Sequence, residues 1–198
     1  MKELPKTSKN ILMVGVGGQG TILATKILAQ VFMGEGYDIK VSEIKGMAQR
    51  GGSVVTQVRV GERVYSPIIE EGEADIILAF ERLEALRWVH YLKPGGTIII
   101  NDQAIPPVPV ILGLQEYPTQ IKEKIQSRVQ ETVVVDALSI ADSLGNSKAS
   151  NVVLLGVLAS HSDLSKEIWV NALKEKVPAK FLELNQRAFD EGYNLRVG

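Results

Sequence analysis

Residues 10–32 read NILMVGVGGQGTILATKILAQVF, and this stretch decides the fold. The apolar run before the glycines is typical of a strand that is buried on both faces of a parallel sheet. After the glycines, apolar residues recur at helical spacing from Ile22 to Phe32, and GEG at 34–36 predicts the end of that helix. A strand, a glycine loop and a helix in this order indicate an α/β fold.

The rest of the chain continues this alternation. Alternation predicts a strand at 37–44, and apolar runs predict further strands at 74–80, 97–101 and 132–137. Helical patterns are predicted at 81–92, 118–129 and 137–144, and from Ser150 to the end. The alternating residues 53–60, followed by Gly61-Glu62, predict a hairpin that returns over 63–66. We therefore expect a Rossmann-like, mostly parallel sheet with a β-hairpin excursion and a helical C-terminal tail, in a single domain over residues 1–198.

Composition excludes several classes of function. The chain has 198 residues, of which 45% are hydrophobic and 23% charged, as in ordinary globular proteins. A net charge of −1 predicts no binding of nucleic acid or of an anionic membrane. Because the chain has no cysteine, it cannot itself supply a disulfide, a thiol nucleophile or thiolate ligands for zinc or an iron–sulfur cluster. Its polar start, MKELPKTSKN, predicts no signal peptide, and we expect a cytoplasmic protein.

The glycine loop allows three interpretations. Gly15, Gly17 and Gly20 fit G-x-G-x-x-G between a strand and a helix, where free N–H groups and the helix dipole suit a phosphate. A dinucleotide site also needs an acid at the end of the second strand, and the candidate Glu43 runs into a glycine-rich segment instead of a helix. The glycines could equally permit a tight turn alone, or receive a cofactor phosphate or a partner subunit.

Three segments together resemble a known family. They are GVGGQGT at 15–21, SEIKGMAQRGGSVVTQVRVG at 42–61 and NVVLLGVLA at 151–159. The chain is similar over residues 11–192 to the gamma subunits or domains of 2-oxoacid:ferredoxin oxidoreductases. Within that family it most resembles the branch of small (beta) subunits of indolepyruvate ferredoxin oxidoreductases. The most specific part is AQRGG followed by an alternating strand.

The resemblance implies a subunit that is not active alone. The enzymes of this family depend on thiamine diphosphate and oxidatively decarboxylate a 2-oxoacid, here an arylpyruvate, to the acyl-coenzyme A while ferredoxin takes the electrons. Thiamine diphosphate and the iron–sulfur clusters would be held by a large partner subunit, which agrees with the absence of cysteine here. This chain would supply no catalytic residue and no metal ligand. The N–H groups of its glycine loop would face either a coenzyme A phosphate or the backbone of the partner subunit. A homodimer of the isolated chain is left open.

The resemblance also assigns site residues. Two motifs would face the active-site region, and they comprise Gly17, Gly18, Gln19 and Gly20 in the first loop and Gln49, Arg50, Gly51, Gly52 and Ser53 in the second. The guanidinium of Arg50 suits an anion such as a phosphate, although a salt bridge to Glu43 is an equal alternative. Gln19 either faces the ligand or caps the helix backbone with its amide.

Two rival functions remain open at this point. One is a free-standing NAD(P)-dependent oxidoreductase, and the other is a purely structural subunit whose glycine motifs serve docking. A hydrolase triad or a catalytic zinc site is not expected, since His90 and His161 lie far apart and have no cysteine to assist them. The large apolar residues of the tail either close the core or form a subunit interface, and they are Trp169, Phe181, Leu184 and Phe189.

Overall fold

A computed structural model describes residues 7–46 and 52–195, and within these ranges six strands and eight α-helices form. The strands are β1 (Lys9–Val16), β2 (Asp38–Lys45), β3 (Ser53–Gly61), β4 (Ala74–Ala79), β5 (Leu92–Asn101) and β6 (Thr132–Val135). The helices are α1 (Thr21–Gly34), α2 (Arg82–Trp88), α3 (Val108–Ile111), α4 (Ile121–Gln126), α5 (Ala137–Ser143), α6 (Ser150–Ser160), α7 (Lys166–Lys176) and α8 (Ala179–Asn194). Short 3-10 helices cover Val89–Tyr91 and Ser147–Ala149.

The six strands form one sheet in the order β2-β3-β1-β4-β5-β6. Strands β1, β4, β5 and β6 are parallel to one another, while β3 runs antiparallel to both β1 and β2. The expected α/β fold with a mostly parallel sheet and a helical C-terminal tail is confirmed. The single domain over residues 1–198 stays a prediction.

The position of the hairpin was predicted wrongly. The hairpin consists of β2 and β3, in which Lys45 pairs with Val54 and Asp38 with Gly61. Because β3 lies between β1 and β2, neither of its edges is free to pair with residues 63–66. The chain after β3 is held by side chains instead, since Asp38 Oδ2 accepts a hydrogen bond from Val64 N at 2.8 Å.

Two helices are shorter than predicted, and one helix forms where none is predicted. The helix expected over 81–92 ends at Trp88, where a 3-10 turn leads into β5. The helix expected over 118–129 is confined to Ile121–Gln126. A short helix, Val108–Ile111, lies in the proline-rich stretch that was expected to be a loop or an edge segment. A proline suits the first turn of a helix because the N–H groups there have no intrahelical partner.

Helices cover both faces of the sheet. Side chains alternate between the two faces along β1. Ile11 and Met13 pack into one core with α1, α5, α6, α7 and α8. Leu12 and Val14 pack into a second core with α2 and α4. In the C-terminal tail, Trp169 and Phe189 are each only 1% exposed. These two aromatic residues therefore close the core.

Candidate functional site

The carboxyl ends of the parallel strands meet at one end of the sheet, where ligands bind in open α/β folds. A cleft of about 590 Å³ lies there. The first glycine loop forms one wall, and the segments after β5 and before α6 supply much of the rest. The cleft is lined by Gly17, Gly18, Gln19, Gly20, Leu23, Gln103, Ile105, Leu138, Ser147, Lys148, Ser150 and Asn151.

The glycine loop needs its glycines for two separate reasons. Gly18 and Gly20 have φ values of +100° and +77°, in the left-handed region that favours glycine. Space is also short, because a Cβ on Gly20 would lie 2.4 Å from Asn151 Nδ2. A Cβ on Gly15 would lie 2.9 Å from Phe80 Cβ. A side chain at Gly18 or Gly20 would therefore strain the backbone, and one at Gly15 or Gly20 would crowd its neighbours.

The side chain of Gln19 braces the loop from within. Its Oε1 accepts a hydrogen bond from Val16 N at 2.9 Å. Its Nε2 donates to Phe80 O at 2.7 Å and to Gln103 Oε1 at 3.1 Å. These bonds join the segments that follow β1, β4 and β5. The amide thus pairs with the backbone around the strand ends and not with the first turn of α1.

The described end of the second glycine motif, Gly52 and Ser53, lies against the first motif. Gly17 N donates to Gly52 O at 2.9 Å, so the end of the β2–β3 connection contacts the glycine loop. Ser53 Oγ donates to Glu84 Oε2 at 2.6 Å, which attaches the start of β3 to α2. Of the residues predicted for the second wall, Gln49, Arg50 and Gly51 lie outside the described residues. The structure thus brings Gly17–Gly20 together with Gly52 and Ser53.

Two buried carboxylates support this end of the sheet. Glu81 is 1% exposed and caps α2, where its Oε2 accepts a hydrogen bond from Glu84 N at 2.9 Å. The other oxygen of Glu81 accepts from Ile105 N and from the Tyr117 hydroxyl. Burial, together with this hydrogen bond to Glu81, raises the pKa of the Tyr117 hydroxyl well above its usual value. Glu84 is 2% exposed and forms an ion pair with Arg87 at 3.2 Å.

Asn151 connects α6 to the glycine loop. Its Nδ2 donates to Gly20 O at 3.0 Å, and the side chain lies at the start of α6. Its Oδ1 is buried and has no hydrogen-bond partner among the described residues. A buried acceptor without a partner is costly, so this oxygen is suited to a donor that another molecule brings to the cleft.

Glu43 does not line this cleft. It lies in β2 and pairs with Thr56 of β3, so that one strand separates it from β1. Two strand spacings separate β2 from β1, so Glu43 lies about 10 Å from β1 across the sheet. Its carboxylate forms an ion pair with Lys45 at 2.8 Å. In a dinucleotide fold the second strand lies directly beside the first, and here the antiparallel β3 occupies that position.

Sequence reasoning did not find several polar residues of the site. Glu81 and Asn101 directly follow apolar runs, and Asn151 lies at the start of the apolar helix α6. That placement is a usable signal because parallel strands end at the same place. Asn101 is an example, since its Oδ1 accepts from Ala137 N and its Nδ2 donates to Phe80 O. The residues not anticipated are Glu81, Glu84, Asn101, Gln103, Lys148 and Asn151.

Two classes of site are not found in the part of the chain that the structure describes. Residues 7–46 and 52–195 contain no group of three or more histidine, aspartate and glutamate side chains placed to hold a metal ion. None of the helices in these ranges combines the length and the apolar character that crossing a membrane requires.

Comparison with known proteins gives matches along nearly the whole chain. The family model described as pyruvate ferredoxin/flavodoxin oxidoreductase matches residues 10–195. Indolepyruvate oxidoreductase subunit IorB of Thermococcus kodakarensis is 42% identical over 190 residues, which are 92% of this chain and 93% of that protein. The pyruvate/ketoisovalerate oxidoreductases common subunit gamma of the same organism is 26% identical, over 92% of this chain and 94% of that protein.

Solved structures share the fold. The keto/oxoacid ferredoxin oxidoreductase gamma subunit from Geobacter sulfurreducens has a TM-score of 0.69 and 26% identity, covering 93% of this chain and 96% of that one. The 2-oxoglutarate:ferredoxin oxidoreductase from Magnetococcus marinus, solved with 2-oxoglutarate, coenzyme A and succinyl-CoA bound, has a TM-score of 0.72 at 20% identity. That match covers 98% of this chain but 32% of the longer one.

The chain therefore belongs to the pyruvate ferredoxin/flavodoxin oxidoreductase family. Within that family it is a subunit of a 2-oxoacid:ferredoxin oxidoreductase, since its relatives are subunits of such oxidoreductases. The resemblance drawn from the glycine motifs is confirmed.

Proposed function

We propose that this chain is the small subunit of a thiamine diphosphate-dependent enzyme that oxidatively decarboxylates indolepyruvate or a related arylpyruvate. The products are the acyl-coenzyme A, carbon dioxide and reduced ferredoxin. The observation that carries this proposal is the 42% identity to a subunit named for indolepyruvate, over nearly the full length of both chains. Because this chain has no cysteine, the thiolate ligands of the iron–sulfur clusters belong to the large partner subunit. The partner also holds thiamine diphosphate, which supplies the decarboxylation chemistry.

The cleft supports a contact with coenzyme A. A phosphate is favoured there by the ammonium of Lys148 and by the positive end of the α6 dipole. The unpartnered Oδ1 of Asn151 suits an amide N–H of the pantetheine arm. Arg50 belongs to the second motif, and its guanidinium can hold a phosphate with two hydrogen bonds. In this proposal the two glycine motifs form the part of the coenzyme A site that this subunit contributes.

The geometry favours this function over a free-standing NAD(P) oxidoreductase. Glu43, which would have to hold the ribose hydroxyls, lies on the far side of β3 and is paired with Lys45. We expect no micromolar binding of NADH when the isolated chain is titrated and its tryptophan fluorescence is followed. Micromolar binding that the substitution Gly17→Val abolishes would restore the dinucleotide interpretation.

The proposal is tested first by asking what the chain binds in the cell. The tagged chain is purified anaerobically from its native organism, and the eluate is analysed by mass spectrometry and for iron and thiamine diphosphate. We expect one large subunit that carries both. A single chain without either cofactor would contradict the proposal.

The coenzyme A contact is tested on the assembled enzyme with the substitution Lys148→Ala. We expect KM for coenzyme A to rise about tenfold, equivalent to ~1.4 kcal/mol, while KM for the arylpyruvate stays unchanged. Lys174→Ala, on the exposed side of α7, is the matched control and should change neither constant. If Lys148→Ala and Arg50→Ala both leave KM for coenzyme A unchanged but weaken assembly, the motifs serve docking alone.

A further inference from the structure

A small polar pocket lies beside the start of β1, at the other end of that strand from the glycine loop. Its volume is about 200 Å³, below the range of roughly 300–1,000 Å³ for pockets that enclose a drug-sized ligand, so it suits a small ionic group. Its lining includes two arginines and two serines, which are Arg59, Arg63, Ser8 and Ser66. Within the described part of the chain, no aspartate or glutamate lines it. The pocket therefore offers positively charged donors without a negative charge to balance them.

Neither arginine of the pocket has a carboxylate partner in residues 7–46 and 52–195. No aspartate or glutamate oxygen in these ranges lies within 4.0 Å of a nitrogen of either guanidinium. Asp38, at the start of β2, is already paired, since it binds the ammonium of Lys40 and accepts a hydrogen bond from Val64 N. The charges of Arg59 and Arg63 are thus left for an anion that another molecule brings.

The sheet also places a second cation beside Arg59. Arg59 in β3 lies directly opposite Lys40 in the antiparallel β2. The Cβ atoms of such pairs are about 4.5–5.5 Å apart, and like charges at this spacing destabilise a sheet. Lys40 is compensated by Asp38, whereas Arg59 is not. An anion in the pocket would remove this imbalance.

Both guanidinium groups are held in position by neutral groups. In the partly buried Arg59, Nε donates to Asn10 Oδ1 at 3.1 Å and Nη1 donates to Ile68 O at 2.9 Å. The guanidinium carbon of Arg63 lies 5.2 Å from the centre of the Tyr65 ring, in a cation–π contact. These contacts orient the two groups without neutralising them. Groups that are oriented before binding lose less conformational entropy when a ligand arrives.

We propose that this pocket binds a phosphate group, either the free ion or the monoester of a small molecule, between the two arginines and the two serines. Guanidinium groups hold phosphate oxygens with two hydrogen bonds each, and the serine hydroxyls can donate to the oxygens that remain. A planar carboxylate, with two oxygens, would leave more of these donors unused. Because the pocket is separate from the cleft at the carboxyl end of the sheet, this inference does not depend on the proposed function.

The test is calorimetric titration of the full chain, in a buffer free of phosphate, with inorganic phosphate, ribose 5-phosphate and succinate. We expect one of the two phosphate compounds to bind with a Kd of about 1 mM or tighter, and the tighter of the two identifies the source of the group. Arg59→Gln and Arg63→Gln should each weaken binding at least tenfold. Arg63 is exposed, so its variant should fold even if the other does not, and circular dichroism checks both. Arg128→Gln, at another exposed arginine outside the pocket, is the control and should bind like the wild type.

Four results would overturn the proposal. The first is no binding of either phosphate compound at about 10 mM. The second is binding that both arginine variants retain, which would place the phosphate elsewhere on the chain. The third is succinate binding as tightly as the phosphate compounds, which would make the pocket a site for carboxylates. The fourth is binding that disappears when the chain is assembled with a large subunit, which would show that the partner covers the pocket.

Discussion

Glycines have different roles in two regions of the molecule. One region is the contact between helices α6 and α8, and the other is the carboxyl end of the sheet. Between the helices, Gly156 and Gly192 let two backbones touch, and a Cβ on Gly192 would lie 1.9 Å from Val153 O. At the carboxyl end, Gly18 and Gly20 shape a loop beside an open cleft. The buried Oδ1 of Asn151 finds no partner there among the described residues, and Ile111 and Leu114 in the segment after β5 are exposed. The helical contact is complete within the chain, whereas in the proposed function the carboxyl end of the sheet is completed by another molecule.

The largest expected effect is at the helical contact. The substitution Gly192→Ala places a methyl group against the backbone of Val153, which cannot move without separating α8 from α6. We expect the free energy of unfolding to fall by about 3 kcal/mol or more, measured by urea denaturation. Gly34→Ala is the control because nothing lies within 4 Å of its Cβ, and it should be neutral or slightly stabilising. Equal effects of the two substitutions would show that the helices are not in close contact.

At the carboxyl end, the substitution Gln19→Glu should weaken both stability and function. A carboxylate cannot donate to Phe80 O or Gln103 Oε1, and it would place negative charge beside these two acceptors. We expect a loss of about 2 kcal/mol in the free energy of unfolding and a higher KM for coenzyme A in the assembled enzyme. The exposed Gln126→Glu should change neither quantity. If the Gln19→Glu variant behaved like this control, the side chain of Gln19 would not brace the loop.

A smaller effect is expected from the hydroxyl that joins the second glycine motif to α2. In Ser53→Ala the buried Glu84 loses its 2.6 Å hydrogen bond and keeps its ion pair with Arg87. We expect a loss of about 1.5 kcal/mol in thermal or urea unfolding. Ser127→Ala, whose hydroxyl bonds only to the backbone of its own exposed turn, should cost less. A reversed order would mean that the contact with Glu84 does not hold β3 in place.

The smallest effect concerns the N-terminus of α5 and depends on pH. Backbone and hydroxyl hydrogen bonds from Ser139 lower the pKa of Asp136 below 3.8. A carboxylate with a lowered pKa in the folded state stabilises above the unfolded value, and this stabilisation disappears as the pH falls through the folded pKa. Asp136→Ala should therefore cost about 1 kcal/mol at pH 7 and progressively less below pH 3.8. Asp142→Ala, exposed on the same helix, is the control, and an equal pH dependence in both variants would contradict the assignment.

The sequence predicts those strands, loops and helices whose pattern lies within a short stretch of residues. The apolar run, the glycines and the helical spacing of residues 10–32 predict β1, the loop and α1 at nearly their observed positions. The buried strand runs likewise predict β4 and β6, because a strand covered on both faces needs continuous apolar residues. The glycine motifs, read as a family resemblance, predict which two loops meet.

The sequence does not predict contacts between distant segments. Alternation over residues 53–60 indicates a strand but not its neighbours, so the hairpin was assigned to the wrong side of β3. Asn151 contacts Gly20 across 131 positions, and Ser53 contacts Glu84 across 31. No local pattern specifies such pairs, because they depend on how the sheet and its covering helices pack.

The most direct test of the account is turnover by the separated and combined subunits. This chain, the large subunit and their mixture are each assayed anaerobically for ferredoxin reduction with indolepyruvate and coenzyme A. We predict that only the mixture turns over, because in the proposed function the large subunit completes the carboxyl end of the sheet. Turnover by this chain alone, or a rate for the large subunit alone that equals the rate of the mixture, would contradict the account.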